Sequence, residues 1–180
     1  MKALLALFTA VCLAFAAAPA SAEVVERHAD GFTLRYAVRL ETTAGDVVLA
    51  IEDIDGWWNS AHTYSGDAAN LTLRMEPGGC LCEALADGKI FEHGRVTAFD
   101  DDHLALSAPL GPLKERATRA DLTFRWPDER TGVLVTLTFI VEGPGLGAMA
   151  DGVDAVMHDQ YVRFTHYIEY GEAPSDAPAA

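Results

Sequence analysis

The apolar residues between Gly147 and Tyr170 recur with the period of an α-helix. At 100° per residue, apolar side chains fall on one arc of about 140°, and charged side chains collect on the opposite side. The arc contains Met149, Val153, Val156, Met157, Tyr161, Phe164, Tyr167 and Ile168. Such a helix would have about six turns, and its wide apolar face predicts burial against a large partner surface. Gln160 is the polar exception near the middle of that face.

Most of the remaining chain alternates apolar and polar residues with a period of two. Phe32 to Thr42 shows this pattern most clearly, which indicates a strand with one buried face. Further strands are predicted over 70–75, 80–86, 90–99, 103–108, 121–126 and 133–142. The last two are separated by a Pro-containing and Gly-containing turn and therefore read as a hairpin.

Two short helical segments are predicted between the first strand and the others. Gly45 to Ile54 has helical spacing, with Thr43 as a candidate N-cap, and a second segment runs from Trp57 to about Gly66. The order is strand, two short helices, about six strands and a long helix. It predicts an α+β fold in which a curved antiparallel sheet of about six to seven strands grips the C-terminal helix. This arrangement often leaves a cavity between sheet and helix.

The N-terminus has the pattern of a secretory signal peptide. Met1 and Lys2 precede an apolar run from Ala3 to Ala17, and Ala20-Ser21-Ala22 supplies small residues for cleavage. The run is too short for a comfortable membrane span. We therefore predict a signal peptide over 1–22, one domain over 23–171 and a disordered tail over 172–180. The mature protein is expected in the periplasm or outside the cell, with no stable membrane insertion.

The net charge limits the classes of partner that are expected. The formal net charge is −14, and removal of residues 1–22 takes away Lys2 and no acidic residue. A strongly acidic chain is not expected to bind nucleic acid or an anionic membrane surface, because both attract basic patches. The expected partner is a small hydrophobic molecule, and the oligomeric state stays open.

Cys80 and Cys82 are the cysteines that remain after the predicted cleavage. On an extended strand, residues two apart are separated by about 6.5–7 Å, whereas a disulfide requires Cβ atoms about 3.8 Å apart. We therefore predict two free, poorly reactive thiols. A disulfide formed in an oxidising compartment and a metal site are the alternatives, and the metal site would need further ligands that the sequence does not supply.

Three stretches resemble a known superfamily. They are WWNSAHTYSGDAANLTL from Trp57 to Leu73, GGCLCE from Gly78 to Glu83, and LGPL from Leu110 to Leu113. With the predicted order of elements, they resemble the START/Bet v 1-like (SRPBCC) superfamily, and within it the polyketide-cyclase and Hsp90-ATPase-activator-homology branches. The resemblance covers about residues 30 to 170 and implies a helix-grip fold. It implies no particular activity, because this fold hosts carriers, cyclases, hydrolases and chaperone cofactors.

The loop residues from His62 to Asp67, where the second short segment fades, carry candidate chemistry. His62 has the side chain of a general base near neutral pH, and Tyr64 could donate a hydrogen bond to an oxyanion. Ser65 and Asp67 lie close by, although side-chain bonds to the turn backbone explain them equally well. Trp57 and Trp58 precede this loop, and because helical neighbours differ by about 100°, one is expected in the core and the other at a cavity.

Other candidates lie on the sheet and the long helix. Glu83 and His93 fall on consecutive strands joined at Asp87-Gly88, so they form either an acid–base pair or an ordinary cross-strand ion pair. Gln160 either satisfies a core partner or contacts a ligand, and we favour the second. Trp126 is a further candidate for the ligand-binding wall.

The leading hypothesis is an exported, soluble protein that binds a small hydrophobic or aromatic molecule between sheet and helix. One alternative is a cyclase-type or hydrolase-type enzyme with His62 or His93 as base and Tyr64 as electrophile. Another is an envelope protein whose partner is a second protein. No phosphate-binding loop, zinc spacing or nucleotide fingerprint occurs in the sequence, so neither a metal nor a cofactor is predicted.

Overall fold

The computed structural model describes residues 23–174. The predicted signal peptide and residues 175–180 of the predicted tail lie outside the described residues. Within the described residues, no helix combines the length and the apolar character that are needed to span a membrane.

Eight antiparallel strands form one sheet, which confirms the α+β helix-grip prediction and exceeds the predicted strand number. The strands are β1 Glu23–His28, β2 Gly31–Leu40, β3 Leu71–Leu73, β4 Cys80–Ala84, β5 Ile90–Asp100, β6 His103–Ser107, β7 Arg119–Arg125 and β8 Val133–Glu142. Their order across the sheet is β1-β2-β8-β7-β6-β5-β4-β3. The strand that the sequence did not predict is β1, which pairs only with β2 at the sheet edge.

Alternation explains the strands that were predicted. In β2 the side chains of Phe32, Leu34 and Tyr36 are buried, whereas Arg35 between them is exposed. The partner strand β8 contributes Val133, Val135, Leu137, Phe139 and Val141 to the same core. Ten consecutive residue pairs join β2 to β8 without a bulge, so this is the longest regular pairing of the sheet.

The first helix, α1, spans Ala44–Glu52. Thr43 caps it: the Thr43 hydroxyl accepts a hydrogen bond from the Asp46 amide at 3.2 Å, and the Asp46 carboxylate accepts one from the Thr43 amide at 3.2 Å. This capping box satisfies amides that a helix start leaves without partners. The predicted second short segment contains one short 3₁₀ helix, Ser60–His62, and further 3₁₀ helices flank it at Ile54–Gly56 and Ala68–Asn70.

The long helix, α2, spans Ala150–Tyr170 and follows a 3₁₀ turn at Leu146–Met149. The predicted start at Gly147 is therefore slightly early. A Cβ atom at Gly147 would lie 1.8 Å from the carbonyl oxygen of His28, so this glycine permits close contact with the chain that connects β1 to β2. The contact fixes where α2 begins relative to the sheet.

The C-terminal half of α2 packs into the core. Tyr161 and Phe164 are buried, and the Tyr161 hydroxyl donates to the Val135 carbonyl at 2.9 Å. The chain after α2 also contacts the helix: Arg163 donates to the Pro174 carbonyl at 3.0 Å. The His166 ring nitrogen Nδ1 also lies 2.8 Å from the Glu172 carbonyl oxygen, so residues 172–174 lie against α2.

Cys80 and Cys82 form a disulfide, so the prediction of free thiols is wrong. Their Cα atoms are 5.3 Å apart, closer than the about 6.5–7 Å of an extended strand. The pairing of β4 with β5 shifts register between Leu81 and Cys82. The prediction assumed a regular extended strand, but the strand pairing is irregular at this point.

Candidate functional site

A cavity of about 540 Å³ lies between the N-terminal half of α2 and the sheet. The segment from Trp58 to Tyr64 and the loop of Leu110 to Leu113 complete its wall. Most of the lining is apolar and includes Trp58, Leu110, Leu113, Phe139, Met149, Val153, Val156 and Met157. The polar members of the lining are His62, Thr63, Tyr64 and His93.

A β-bulge places His93 in this wall. Leu81 of β4 pairs with Gly94 and the next residue, Cys82, pairs with Glu92, so β5 has one extra residue at His93. A bulge bends a strand and redirects a side chain. Gly94 permits it, because a Cβ atom there would lie 2.8 Å from the Cβ atom of Ala108. His93 is consequently buried and faces inward.

Glu83 is the innermost charged group of the site, with no exposed surface. Its carboxylate accepts hydrogen bonds from the backbone amides of Tyr64, at 3.1 Å, and Ser65. It also lies 2.7 Å from Nε2 of His93. Because Glu83 binds the loop and His93 together, it fixes two parts of the cavity wall with one side chain.

The electrostatics of the pair follow from these contacts. Burial favours the neutral acid, but the hydrogen bonds from Ser65, Tyr64 and His93 outweigh it and hold the pKa of the Glu83 carboxyl below its usual value of 4.5. Burial lowers the pKa of the His93 imidazole from 6.5, and Glu83 opposes that shift only in part. Near neutral pH, Glu83 is therefore ionised and His93 is neutral.

The predicted loop residues lie at the same cavity. His62 and Tyr64 line its rim, and Tyr64 is half exposed. The Tyr64 ring lies 4.3 Å from the ring of Phe91 and 5.7 Å from that of His93, measured between centroids. The structure thus brings together Trp58, His62, Tyr64 and His93 at one cavity, with Glu83 behind His93.

Besides Glu83, which lies behind His93, three predicted site residues do not line the cavity. Trp57 is a core residue whose indole donates to the Ala50 carbonyl at 2.7 Å, and Trp126 is a core residue whose indole donates to the Asp101 carbonyl at 2.9 Å. Gln160 is buried, and its amide oxygen accepts from the backbone amide of Asn59 at 2.9 Å. The favoured interpretation of Gln160 as a ligand contact is therefore not supported, because its partner is the loop backbone.

Sequence reasoning missed several lining residues. Met149, Val153 and Val156 were identified as part of the apolar arc of α2, but nothing in that arc separates residues that face a cavity from residues that fill the core. Leu110 and Leu113 belong to the LGPL stretch, whose apolar content in a loop was the available signal. No group of three His, Cys, Asp or Glu side chains within residues 23–174 could hold a metal ion.

Comparison with known proteins supports the fold. No family model matches the chain, and no curated protein matches it. Among solved structures, a protein of Staphylococcus saprophyticus superposes with a TM-score of 0.56 at 13% identity, over 81% of this chain and 97% of that one. A protein of Mesorhizobium loti gives 0.57 at 11%, over 76% and 96%.

Two-domain proteins described as ARO/CYC are also similar. BexL, of the BE-7585A biosynthetic pathway, gives a TM-score of 0.54 at 15% identity, over 86% of this chain and 53% of BexL. StfQ, of the steffimycin biosynthetic pathway, gives 0.51 at 12%, over 79% and 52%. The chain thus spans about half of each. These likenesses show the fold, which is the helix-grip fold that the sequence resemblance implied.

Proposed function

We propose that this protein binds a small hydrophobic or aromatic molecule in the cavity between α2 and the sheet. The observation that carries the proposal is the cavity itself, at about 540 Å³, inside the roughly 300–1,000 Å³ range of small-molecule pockets. Its lining combines aliphatic and aromatic side chains with a few polar groups, as such pockets do.

The similar ARO/CYC proteins support a functional role for the cavity, because they have the same fold and belong to biosynthetic pathways. The likeness is one of fold, so it does not identify the ligand of this chain. The lining indicates the ligand class instead, because Trp58 provides aromatic surface and Val153 and Val156 provide aliphatic surface.

The proposal includes a site of action outside the cytoplasm, in the periplasm or beyond it. The apolar N-terminal pattern ending at Ala22 supports this. The Cys80–Cys82 disulfide also supports it, because disulfides persist mainly in oxidising compartments. Detection of mature protein beginning at Glu23 outside the cytoplasm would confirm export, whereas full-length protein confined to the cytoplasm would contradict it.

The binding proposal is tested by filling the cavity. Titration with the neutral dye N-phenyl-1-naphthylamine should show saturable fluorescence with the wild type. Val156→Trp should weaken dye affinity at least about tenfold, a loss of about 1.4 kcal/mol, because Val156 lines the cavity. Ala148→Trp should act in the same direction from an exposed position on the cavity wall.

Val162→Trp is the matched control, since Val162 lies on α2 with 43% of its surface exposed. It should bind the dye as the wild type does. Melting curves establish that each variant is folded. Equal dye affinity in folded Val156→Trp, Ala148→Trp and wild-type protein would overturn the proposal.

A further inference from the structure

We propose that Glu83 and His93 make the cavity wall a general-base site, at which His93 removes a proton from a bound hydrophobic molecule. The inference rests on the proposed function, because the molecule must first occupy the cavity. It adds a reaction class to binding. Within it His93 is the catalytic residue, and Glu83 is the positioning residue that orients it.

The hydrogen bonds of Glu83 determine which ring nitrogen of His93 carries the hydrogen. Glu83 accepts from two backbone amides, of Tyr64 and Ser65, as an ionised carboxylate does. An ionised carboxylate has no proton to donate, so the 2.7 Å contact between Glu83 and Nε2 of His93 places the hydrogen on Nε2. The lone pair of neutral His93 is then on Nδ1, the atom that would accept a proton.

Nδ1 is available for that purpose. Among the described residues Nδ1 has no hydrogen-bond partner. It is also not one of the solvent-inaccessible side-chain atoms that lack a partner. The imidazole itself belongs to the cavity lining. The site therefore presents a neutral base at an apolar wall, with its opposite nitrogen held by a buried carboxylate.

A second histidine shows that the pairing alone does not make such a site. His103 lies 3.5 Å from a carboxylate oxygen of Asp100, but the Asp100 side chain is 62% exposed and the pair sits at the β5–β6 turn. At His93 the carboxylate is fully buried and a cavity adjoins the ring. Burial and the cavity, rather than the residue types, distinguish the two pairs.

The reaction balances without a co-reactant. The bond from carbon to hydrogen in the bound molecule breaks, its electron pair stays on the molecule, and the proton forms a bond to Nδ1. The resulting imidazolium is stabilised by the negative charge of Glu83. Return of the proton to a different atom of the molecule completes an isomerisation. The substrate class is a hydrophobic carbon acid, whose C–H bond is activated by an adjacent carbonyl or electron-poor ring.

The surroundings of His93 set its pH dependence. The titratable groups around it are Glu83 from β4, and Tyr64 and His62 from the cavity loop. On its other side His93 borders a second pocket with Glu92, Arg95 and Lys114. Because burial lowers the His93 pKa below 6.5, the neutral base predominates above that pH. Activity should rise with pH through the lowered pKa and be level at neutral pH.

The probe is 5-nitrobenzisoxazole, a small aromatic carbon acid. Removal of its ring C–H proton breaks the N–O bond and gives the coloured 2-cyano-4-nitrophenolate. Wild-type protein should convert it with saturation kinetics, faster than buffer and free imidazole. His93→Gln should lower kcat/KM about 100-fold or more, the usual contribution of a positioned base, while saturable dye binding is retained. His103→Gln is the matched control and should retain the wild-type rate.

The Glu83 role has its own readout. Glu83→Gln removes the charge that partly raises the His93 pKa, so the apparent pKa of kcat/KM should move to lower pH. A residue that served only folding would leave that pKa in place. If His93→Gln fails to fold, the pH profile of kcat/KM for the wild-type protein still tests the proposal.

The possible failures separate the two proposals. If Val156→Trp weakens dye binding but the protein does not convert the probe above background, the general-base proposal is wrong and the binding proposal stands. Conversion by His93→Gln at the wild-type rate would also overturn the base. Loss of specific dye binding in the wild type would overturn both proposals.

Discussion

The two halves of α2 carry one continuous apolar arc but meet different surroundings. In the C-terminal half, Phe164 lies 4.9 Å from Trp57 and 5.5 Å from Phe124, measured between ring centroids, and is fully buried. In the N-terminal half, Val153 and Val156 face the cavity. The arc specifies which side of the helix turns inward. The size of the side chains on the facing elements decides whether that side is filled or left open.

The largest expected effect is in the packed half. Phe164→Ala should lower the free energy of unfolding by about 3–5 kcal/mol, because it removes a buried ring and leaves a void that its neighbours fill only in part. Urea unfolding measures this loss. Val162→Ala, on the exposed side of the same helix, should change stability by about 0.5 kcal/mol or less. Similar losses in both variants would show that the C-terminal half is not close-packed.

Gln160 marks the boundary between the halves. Gln160→Leu removes the acceptor of the Asn59 amide and should cost about 1–3 kcal/mol, because an unpaired buried donor pays its desolvation cost. Melting curves and the dye titration are measured together. Lower stability with unchanged dye affinity is expected. Unchanged stability with weaker dye binding would return Gln160 to the ligand site.

The smallest effect is expected in the open half. Val156→Ala should cost about 1 kcal/mol or less, since the space that a truncation normally creates is already present beside this side chain. The unfolding midpoint in urea checks it against Phe164→Ala. A loss as large as that of Phe164→Ala would mean that the cavity is closed in solution and that both halves are packed alike.

Periodicity predicted the elements that bury a whole face. The strand pattern of Phe32 to Thr42 and the helical pattern of Gly147 to Tyr170 each have many apolar residues in register, so the signal survives small local exceptions. The edge strand β1 was missed because much of its surface is solvent-exposed, and an edge strand buries too little to impose alternation.

The site depended on features that no single-residue pattern encodes. The bulge at His93 arises where β5 meets β4 and β6, and the requirement for Gly94 comes from Ala108, which is distant in sequence. The Cys80–Cys82 disulfide lies beside the same irregular ladder. The proximity of Glu83 to His93 followed from their positions on consecutive strands joined at Asp87-Gly88. The hydrogen bonds from the Tyr64 and Ser65 amides to Glu83 did not.

The pairing of β2 with β8 has a consequence for how the chain folds. The strands from β3 to β8 follow one another across the sheet as neighbours in sequence, and β1 and β2 form their own hairpin. The β2–β8 pair, which joins these two units, brings Phe32 next to Val141. The entropy of closing this long loop is lost before the contacts between the two strands can form. Folding dominated by such distant pairings takes about milliseconds to seconds. The β1–β2 hairpin therefore has no sheet to join until β8 is available to pair with β2.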